Sequence, residues 1–477
     1  MLYKTACMKK ILPIIAIVSV MFSCQEPNLE PVIDQEPVYE ILKLTDGSAI
    51  TCTYSYPSVD ENGNPITLSS VLVAWKPTDK DTATTIKSLV VGCHITITSN
   101  RECPSSAIGT MQSGDASIMA SLPTQSAIPE LRRSIVILPD YEGYGLSRDR
   151  IHPYLIQELT ARQVVDAVKY GLQLYKDLDN AQPFADDWKS ISFGYSQGGA
   201  VALATHKYIE QHNLDDELHF AGSFCADGPY DLYSTLRYYF EDDGQSFGIT
   251  TKHRSRTAPE PLVIPLLIKG MIDADPDMKG HSVGQYLSKQ FLDTGIMDWI
   301  SGKEMTTVQI RKALYDMCDN GLTAKDGTVY SADQMQALFP VRRKSQSIIR
   351  TNYEVTADLT HMFTPEVLQY LDVTSQEEAS PDNFEIIRDL GLALSRNSLA
   401  NGWDEWQVKH KIVFLHSEYD TTVPLCNYVS FFEHHQEAPI RFVPYGKDDH
   451  ETTGTKLFLS LTGTTFLDDF TWLFAEK

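Results

Sequence analysis

The chain has 477 residues, 42% of them hydrophobic and 22% charged, with 40 Lys and Arg against 63 Asp and Glu for a formal charge of −23. That composition belongs to a folded globular protein and is too apolar for a disordered one. The acidic excess excludes a general nucleic-acid binder, which needs a basic surplus against phosphate, and the interior holds no apolar run of the length a membrane-spanning helix needs.

The first 23 residues read as a targeting segment and are set aside from the fold. Lys9 and Lys10 form a basic start, 11–22 an apolar stretch too short to span a bilayer, and Ser23-Cys24 follows. The order resembles a bacterial lipoprotein signal, which implies that Cys24 becomes a lipidated N-terminus anchoring the protein to an envelope membrane. It departs from that pattern at Phe22, where such signals favour a small residue. Met8 is an alternative start, because residues 1–7 add nothing to a signal. Removing Lys4, Lys9 and Lys10 with the signal leaves 37 basic against 63 acidic residues, or −26. Residues 24–40, rich in Pro and Glu, read as a flexible tether.

Further along, 49–57 and 66–76 are β-rich, and Asp60-Glu61-Asn62-Gly63-Asn64 between them has the chemistry of a hairpin turn. Residues 87–97 and 134–138 are apolar β runs, 159–176 has helical spacing, 189–193 is a strand, 200–212 a helix and 218–225 a strand. After a long interval, 411–415 and 440–443 are strands and 464–474 is a closing helix. This alternation predicts an α/β fold with a mostly parallel sheet covered on both faces. It stops between about 237 and 405, where helical patterns (283–300, 306–318, 332–339, 382–395) surround the apolar run 262–268. That stretch is expected to be a helical cap inserted into one core made of 41–236 and 406–477, the other reading being an independent domain. The position of 262–268 within the insertion predicts an apolar pocket beside the core.

Of eight cysteines, six lie beyond the signal and its terminal Cys24. Cys93 and Cys103, the closest pair, are the one bridge the spacing suggests. No C-x-x-C or H-E-x-x-H occurs. The adjacent His434 and His435 cannot share one helix face, so no metal site is expected.

The chemistry concentrates at Gly194-Tyr195-Ser196-Gln197-Gly198, a G-x-S-x-G match. Alone the match is weak, but a β run precedes it and a helix rich in small residues follows, the strand–turn–helix setting that lifts a serine hydroxyl out of a sheet. A serine hydroxyl needs a base at neutral pH. His450, past the last strand, and Asp420, past the strand before it, both fall at the C-terminal sheet edge beside Ser196. Glu418 is the second candidate acid. Asp448 and Asp449 are too close to His450 in sequence to orient it and read as solvated loop charges. His416 reads as structural.

With these residues the chain resembles the α/β-hydrolase superfamily, and within it the secretory lipase family typified by fungal lipase A. The motifs are the elbow at 194–199, the turn Asp420 to Pro424, the His450 loop and Pro139-Asp140-Tyr141-Glu142-Gly143-Tyr144-Gly145. The likeness covers most of 85–235 and 405–465. It departs where relatives often carry His-Gly before the acid, here His416-Ser417, and the cap does not align. The resemblance implies a serine esterase or lipase with the triad Ser196, His450 and Asp420, acting on a small-molecule ester without metal or cofactor. It further implies an oxyanion hole from Gln197 and Asp140, although Asp140 also fits a tight turn that requires Asp and Gly. A prolyl-oligopeptidase-type peptidase is a lesser alternative, because no propeller repeat is present. An inactive binding lipoprotein of this fold is another, opposed by the complete Ser, Asp, His order.

Overall fold

The computed structural model describes residues 49–79, 81–108, 114–240, 256–346, 351–371 and 385–476. The signal, Cys24, the tether and the expected core residues 41–48 lie outside this range. An eight-stranded sheet forms the centre: β1 (Ala49–Val59), β2 (Pro65–Trp75), β3 (Ile86–Cys93), β4 (Ser134–Pro139), β5 (Phe184–Tyr195), β6 (Phe220–Ala226), β7 (Lys411–His416) and β8 (Ile440–Pro444). Their spatial order is β1-β2-β4-β3-β5-β6-β7-β8. β1 and β2 form the expected hairpin, and β2 runs antiparallel to β4; every other neighbouring pair is parallel. Asp60 closes the hairpin turn by accepting from the Asn62 and Asn64 amides at 3.0 and 2.8 Å.

The parallel strands are apolar on both faces because helices cover both. Alternate residues sort accordingly. Ile135, Ile137, Leu89, Val91 and Phe414 face one apolar cluster, while Val136, Leu138, Val90, Phe193 and Val413 face another. The second cluster is closed by α1 (Gly114–Gln125) with Met119 and Leu122, and from the C-terminal end of the chain by Leu457, Phe458, Phe470 and Leu473. The first receives α2 (Gln157–Lys176), which packs on α3 (Gln197–Gln211). Val164, Val165, Val168 and Leu172 recur on the buried face of α2 at helical spacing.

Between β6 and β7 the described residues are mainly helical, as expected. They include α4 (Leu232–Phe240), α5 (Val263–Ala274), α6 (Thr307–Asn320) and α7 (Glu385–Arg396). Two features differ from the sequence reading. The helix expected over 283–300 is broken into short pieces at 283–285, 289–292 and 296–302, because Gly295 takes φ 83° and Ser288 caps a new turn. In addition, Arg342–Gln346 and Thr351–Val355 pair antiparallel in register. The insertion shares one continuous apolar cluster with the sheet, running from Leu89 and Phe414 through Leu236 and Ile264 to Leu314 and Leu390. α8 (Cys426–His434), α9 (His450–Ser460) and α10 (Leu467–Phe474) finish the core.

No disulfide joins Cys93 to Cys103. Both thiols are free and buried, as are those of Cys52, Cys225 and Cys318. Cys93 ends a central strand with its sulfur 3.9 Å from Val91 O, whereas Cys103 caps a short helix and donates to Asn100 O at 3.2 Å.

Candidate active site

β5 ends at Tyr195 and α3 begins at Gln197, so the chain turns within one residue. Ser196 takes φ 58°, ψ −125°, a conformation an L-residue holds only under constraint from its surroundings. The constraint is steric. A Cβ on Gly194 would lie 2.1 Å from Gly198 O, and one on Gly198 would lie 2.1 Å from Cys93 O. Only glycine lets α3 start so close to β5 and β3. The motif therefore does structural work that raises Ser196 off the sheet edge.

His450 and Asp420 reach the same edge from the ends of β8 and β7. The Ser196 hydroxyl lies 2.8 Å from His450 Nε2, and His450 Nδ1 lies 2.5 Å from Asp420 Oδ2. The Thr422 and Val423 amides both donate to Asp420 Oδ1 at 2.8 Å, which leaves Oδ2 for the imidazole. Asp420 is 1% exposed, whereas Glu418 is an exposed loop residue. Asp449 caps α9 through the Thr452 amide at 2.8 Å, and Asp448 pairs with Lys456 at 2.6 Å. Burial pulls the His450 imidazole down, but the charge and hydrogen bond of Asp420 outweigh it and hold it above its ordinary value.

Gln197 follows Ser196 as the first residue of α3, where its backbone N–H has no intrahelical acceptor. Its side chain is tied away. His152 Nδ1 donates to Glu142 O at 2.8 Å, so its Nε2 accepts from Gln197 Nε2 at 2.8 Å. Burial pushes the His152 imidazole down to about 3, which keeps it neutral in that role. The sequence reading did not single out His152.

Asp140 is placed differently from the oxyanion-donor expectation. Its backbone N–H donates to Ser69 O at 3.0 Å. Its carboxylate accepts from Ser69 Oγ at 2.5 Å and from the Ser105 amide at 2.8 Å. It is fully buried, burial raises its carboxyl above the ordinary value, and its contacts clamp the turn after β4 to β2 and to the loop after β3.

A cavity opens over Ser196. Leu232, Leu236 and Tyr239 of α4 and Val263, Ile264 and Leu267 of α5 line it, with Thr422 and Val423 beside the acid. The apolar run 262–268 thus supplies one wall, although Leu266 and Ile268 face the core. A latch ties the insertion to the catalytic loop. Arg311 of α6 pairs with Glu260 and with Glu451, the residue after His450, and Asn352 donates to Glu451 at 2.8 Å.

Two groups of three metal-capable side chains occur among the described residues. In the first, His206 and His410 both contact Glu210, whose oxygens also accept from Trp406 Nε1 and the amides of Lys409 and His410. These bonds satisfy the carboxylate by themselves. The second is Asp227, Asp420 and His450. Asp227 was not singled out in the sequence, where Asp227-Gly228-Pro229 has only the look of a turn. His434 and His435 bond separate carbonyls, Ser430 O and Ala400 O, in line with their expected divergence.

No protein-family model matches the chain, and no curated protein sequence matches it. Solved structures do. A ligand-bound form of the rice cell wall degrading esterase LipA from Xanthomonas oryzae is 20% identical with TM-score 0.60, covering 89% of this chain and 89% of that one. A hydrolase from Legionella pneumophila is 15% identical with TM-score 0.59, covering 90% and 91%. Candida antarctica lipase A in its closed state is 13% identical with TM-score 0.52, covering 85% and 74%. The sheet order, the elbow and these likenesses define the α/β-hydrolase fold.

Proposed function

We propose that this protein is a serine hydrolase of carboxylic esters, an esterase or lipase acting through an acyl-enzyme. The observation that carries the reading is the hydrogen-bonded line Ser196–His450–Asp420 at the floor of an apolar cavity. The esterase and lipase among the structural neighbours support ester hydrolysis as the class. In this mechanism His450 Nε2 takes the Ser196 proton as Oγ attacks the acyl carbon. Asp420 holds the resulting imidazolium and fixes its tautomer. The Gln197 N–H, at the positive end of α3, stabilises the oxyanion. His450 then returns the proton to the leaving alcohol, and water repeats the cycle to release the acid. The triad chemistry requires no metal or cofactor. The substrate is a small-molecule ester whose acyl chain lies against α4 and α5. The targeting segment supports attachment at a bacterial envelope membrane through lipidated Cys24.

The test is turnover of p-nitrophenyl esters by the purified chain alongside Ser196→Ala. Hydrolysis that disappears in the variant supports the reading. Activity above a tenth of wild type in that variant would overturn it, as would preferential cleavage of Pro-peptide anilides.

A further inference from the structure

Beneath the triad lies a second buried acid that the mechanism above does not use. Asp227 directly follows β6 and is 0% exposed. Groups from every neighbouring element face it. From β5, the Tyr195 hydroxyl donates to its Oδ2 at 3.0 Å; from the loop after β7, the Ser417 amide donates to its Oδ1 at 2.9 Å. His416 Nδ1 lies 3.5 Å from Oδ1, and Asp420 and His450 have ligand atoms within 4.8 Å. Tyr230 is the remaining titratable neighbour. The same Tyr195 hydroxyl has His450 O as a second acceptor at 2.5 Å, so its one hydrogen is shared between that carbonyl and Asp227 Oδ2, and it lies 3.3 Å from His450 Nδ1. Asp227 is thus joined to both the acid loop and the base loop of the triad.

Counting protons on these contacts fixes their roles. His416 Nε2 faces Val423 O at 2.8 Å, so that nitrogen carries hydrogen. Its Nδ1 has no hydrogen-bond partner and faces Asp227 Oδ1. If Asp227 were ionised and His416 neutral, a lone pair would point at a carboxylate oxygen inside the protein. Two bare carboxylates, Asp227 and Asp420, would then sit unscreened beside one imidazole. One proton placed on the Asp227–His416 pair removes both conflicts. Burial pushes the Asp227 carboxyl up to about 6, a shift in the direction of holding a proton.

We propose that Asp227 is a positioning residue for His450, acting through the Tyr195 hydroxyl, and that it forms with His416 a pair carrying one proton and no net charge. Asp420 is then the one negative charge hydrogen-bonded to the base, since Glu451, the next residue, is offset by Arg311. The proposal rests on the serine-hydrolase reading for its kinetic consequence but not for its charge state.

Histidine-labelled protein followed by NMR, and kcat/KM against pH, separate these. Asp227→Asn replaces a neutral pair by another neutral pair. The His450 titration and the acid limb should therefore stay within about 0.3 pH unit of wild type, while kcat falls a few-fold as the shared proton is lost. A downward shift of a unit or more in the variant would show that Asp227 acts as a net charge, and would overturn the proposal. Asp227→Ala should lower kcat about tenfold to a hundredfold with KM nearly constant, because the base loses its support. Should that variant fail to fold, Tyr195→Phe carries the same arm; full kcat in either folded variant overturns the positioning role. If wild type hydrolyses no ester, the functional reading fails alone, since the NMR titration reads the pair without turnover.

Discussion

In the proposed mechanism, removing the Ser196 hydroxyl takes away the nucleophile that His450 Nε2 deprotonates, and the consequence can be sized. With the fold intact, Ser196→Ala should lower kcat on the order of a millionfold, about 8 kcal/mol, and His450→Ala nearly as much. Asp420→Asn should cost less, because the imidazole remains but loses its orientation and tautomer. Combining the serine and histidine changes should add almost nothing. Steady-state kinetics check the series, and a loss confined to Glu418→Gln would move the acid assignment. Since Asp420 holds His450 above the ordinary imidazole value, the acid limb of kcat/KM should fall above about 6.5, with activity lost as pH drops through it and the base becomes protonated. Asp140 belongs to a different category. Its carboxylate secures Ser69 and the Ser105 amide, so Asp140→Asn should destabilise by about 1–3 kcal/mol and leave kcat within a few-fold. A loss of two orders in kcat at unchanged melting temperature would restore the oxyanion role.

At the scale of elements, the sheet determines where chemistry can occur and the insertion determines what reaches it. The three triad side chains arise from the C-terminal ends of parallel strands β5, β7 and β8, which the topology brings to one edge. α4 and α5 wall the cavity above them. Leu267→Asn should therefore cut kcat/KM at least tenfold on octanoyl esters, where several buried methylenes at about 0.8 kcal/mol each are at stake, and far less on acetyl esters. Equal losses on both would assign Leu267 to folding alone. The Arg311 latch holds this wall against the catalytic loop. Arg311→Met would leave buried Glu260 uncompensated, at a cost of about 3 kcal/mol, seen as a lowered melting temperature. Burial raises the Glu451 carboxyl, but the charge of Arg311 outweighs it and holds the group below its ordinary value. Its contribution is therefore complete above the unfolded value of about 4.3 and is lost as pH falls towards the folded one. Melting curves of Arg311→Met should show a weaker decline on acidification than wild type.

Over the whole molecule, what was legible in the sequence was whatever is local. Ile135 to Leu138 is apolar at every position because helices cover both faces of its strand, and the elbow is written in consecutive residues because the close approach of two backbones demands glycine there. Asp227 and the latch were not legible. Asp227 meets Tyr195, His416 and Ser417 only through topology, and Arg311 meets Glu451 across 140 positions. The broken helix at 283–302 kept helical spacing while its chain turned at Gly295. The reading of the N-terminal segment as a lipoprotein signal is likewise local but lies outside the described residues, and its prediction concerns the whole chain. Its acidic excess, −26 if the proposed signal is removed, opposes adsorption to an anionic lipid surface, so the proposed membrane attachment would have to come from hydrocarbon. One acyl chain binds only marginally, whereas the several chains of a lipoprotein anchor hold stably. The full chain expressed in a bacterium should therefore sediment with membranes and stay there in high salt, which screens charge but not acyl insertion. Cys24→Ser should move the protein to the soluble fraction with ester hydrolysis intact, because Cys24 lies far in sequence from Ser196, Asp420 and His450. Unchanged fractionation of that variant would end the anchor proposal, and release of the wild type by salt alone would replace it with a charge-mediated contact.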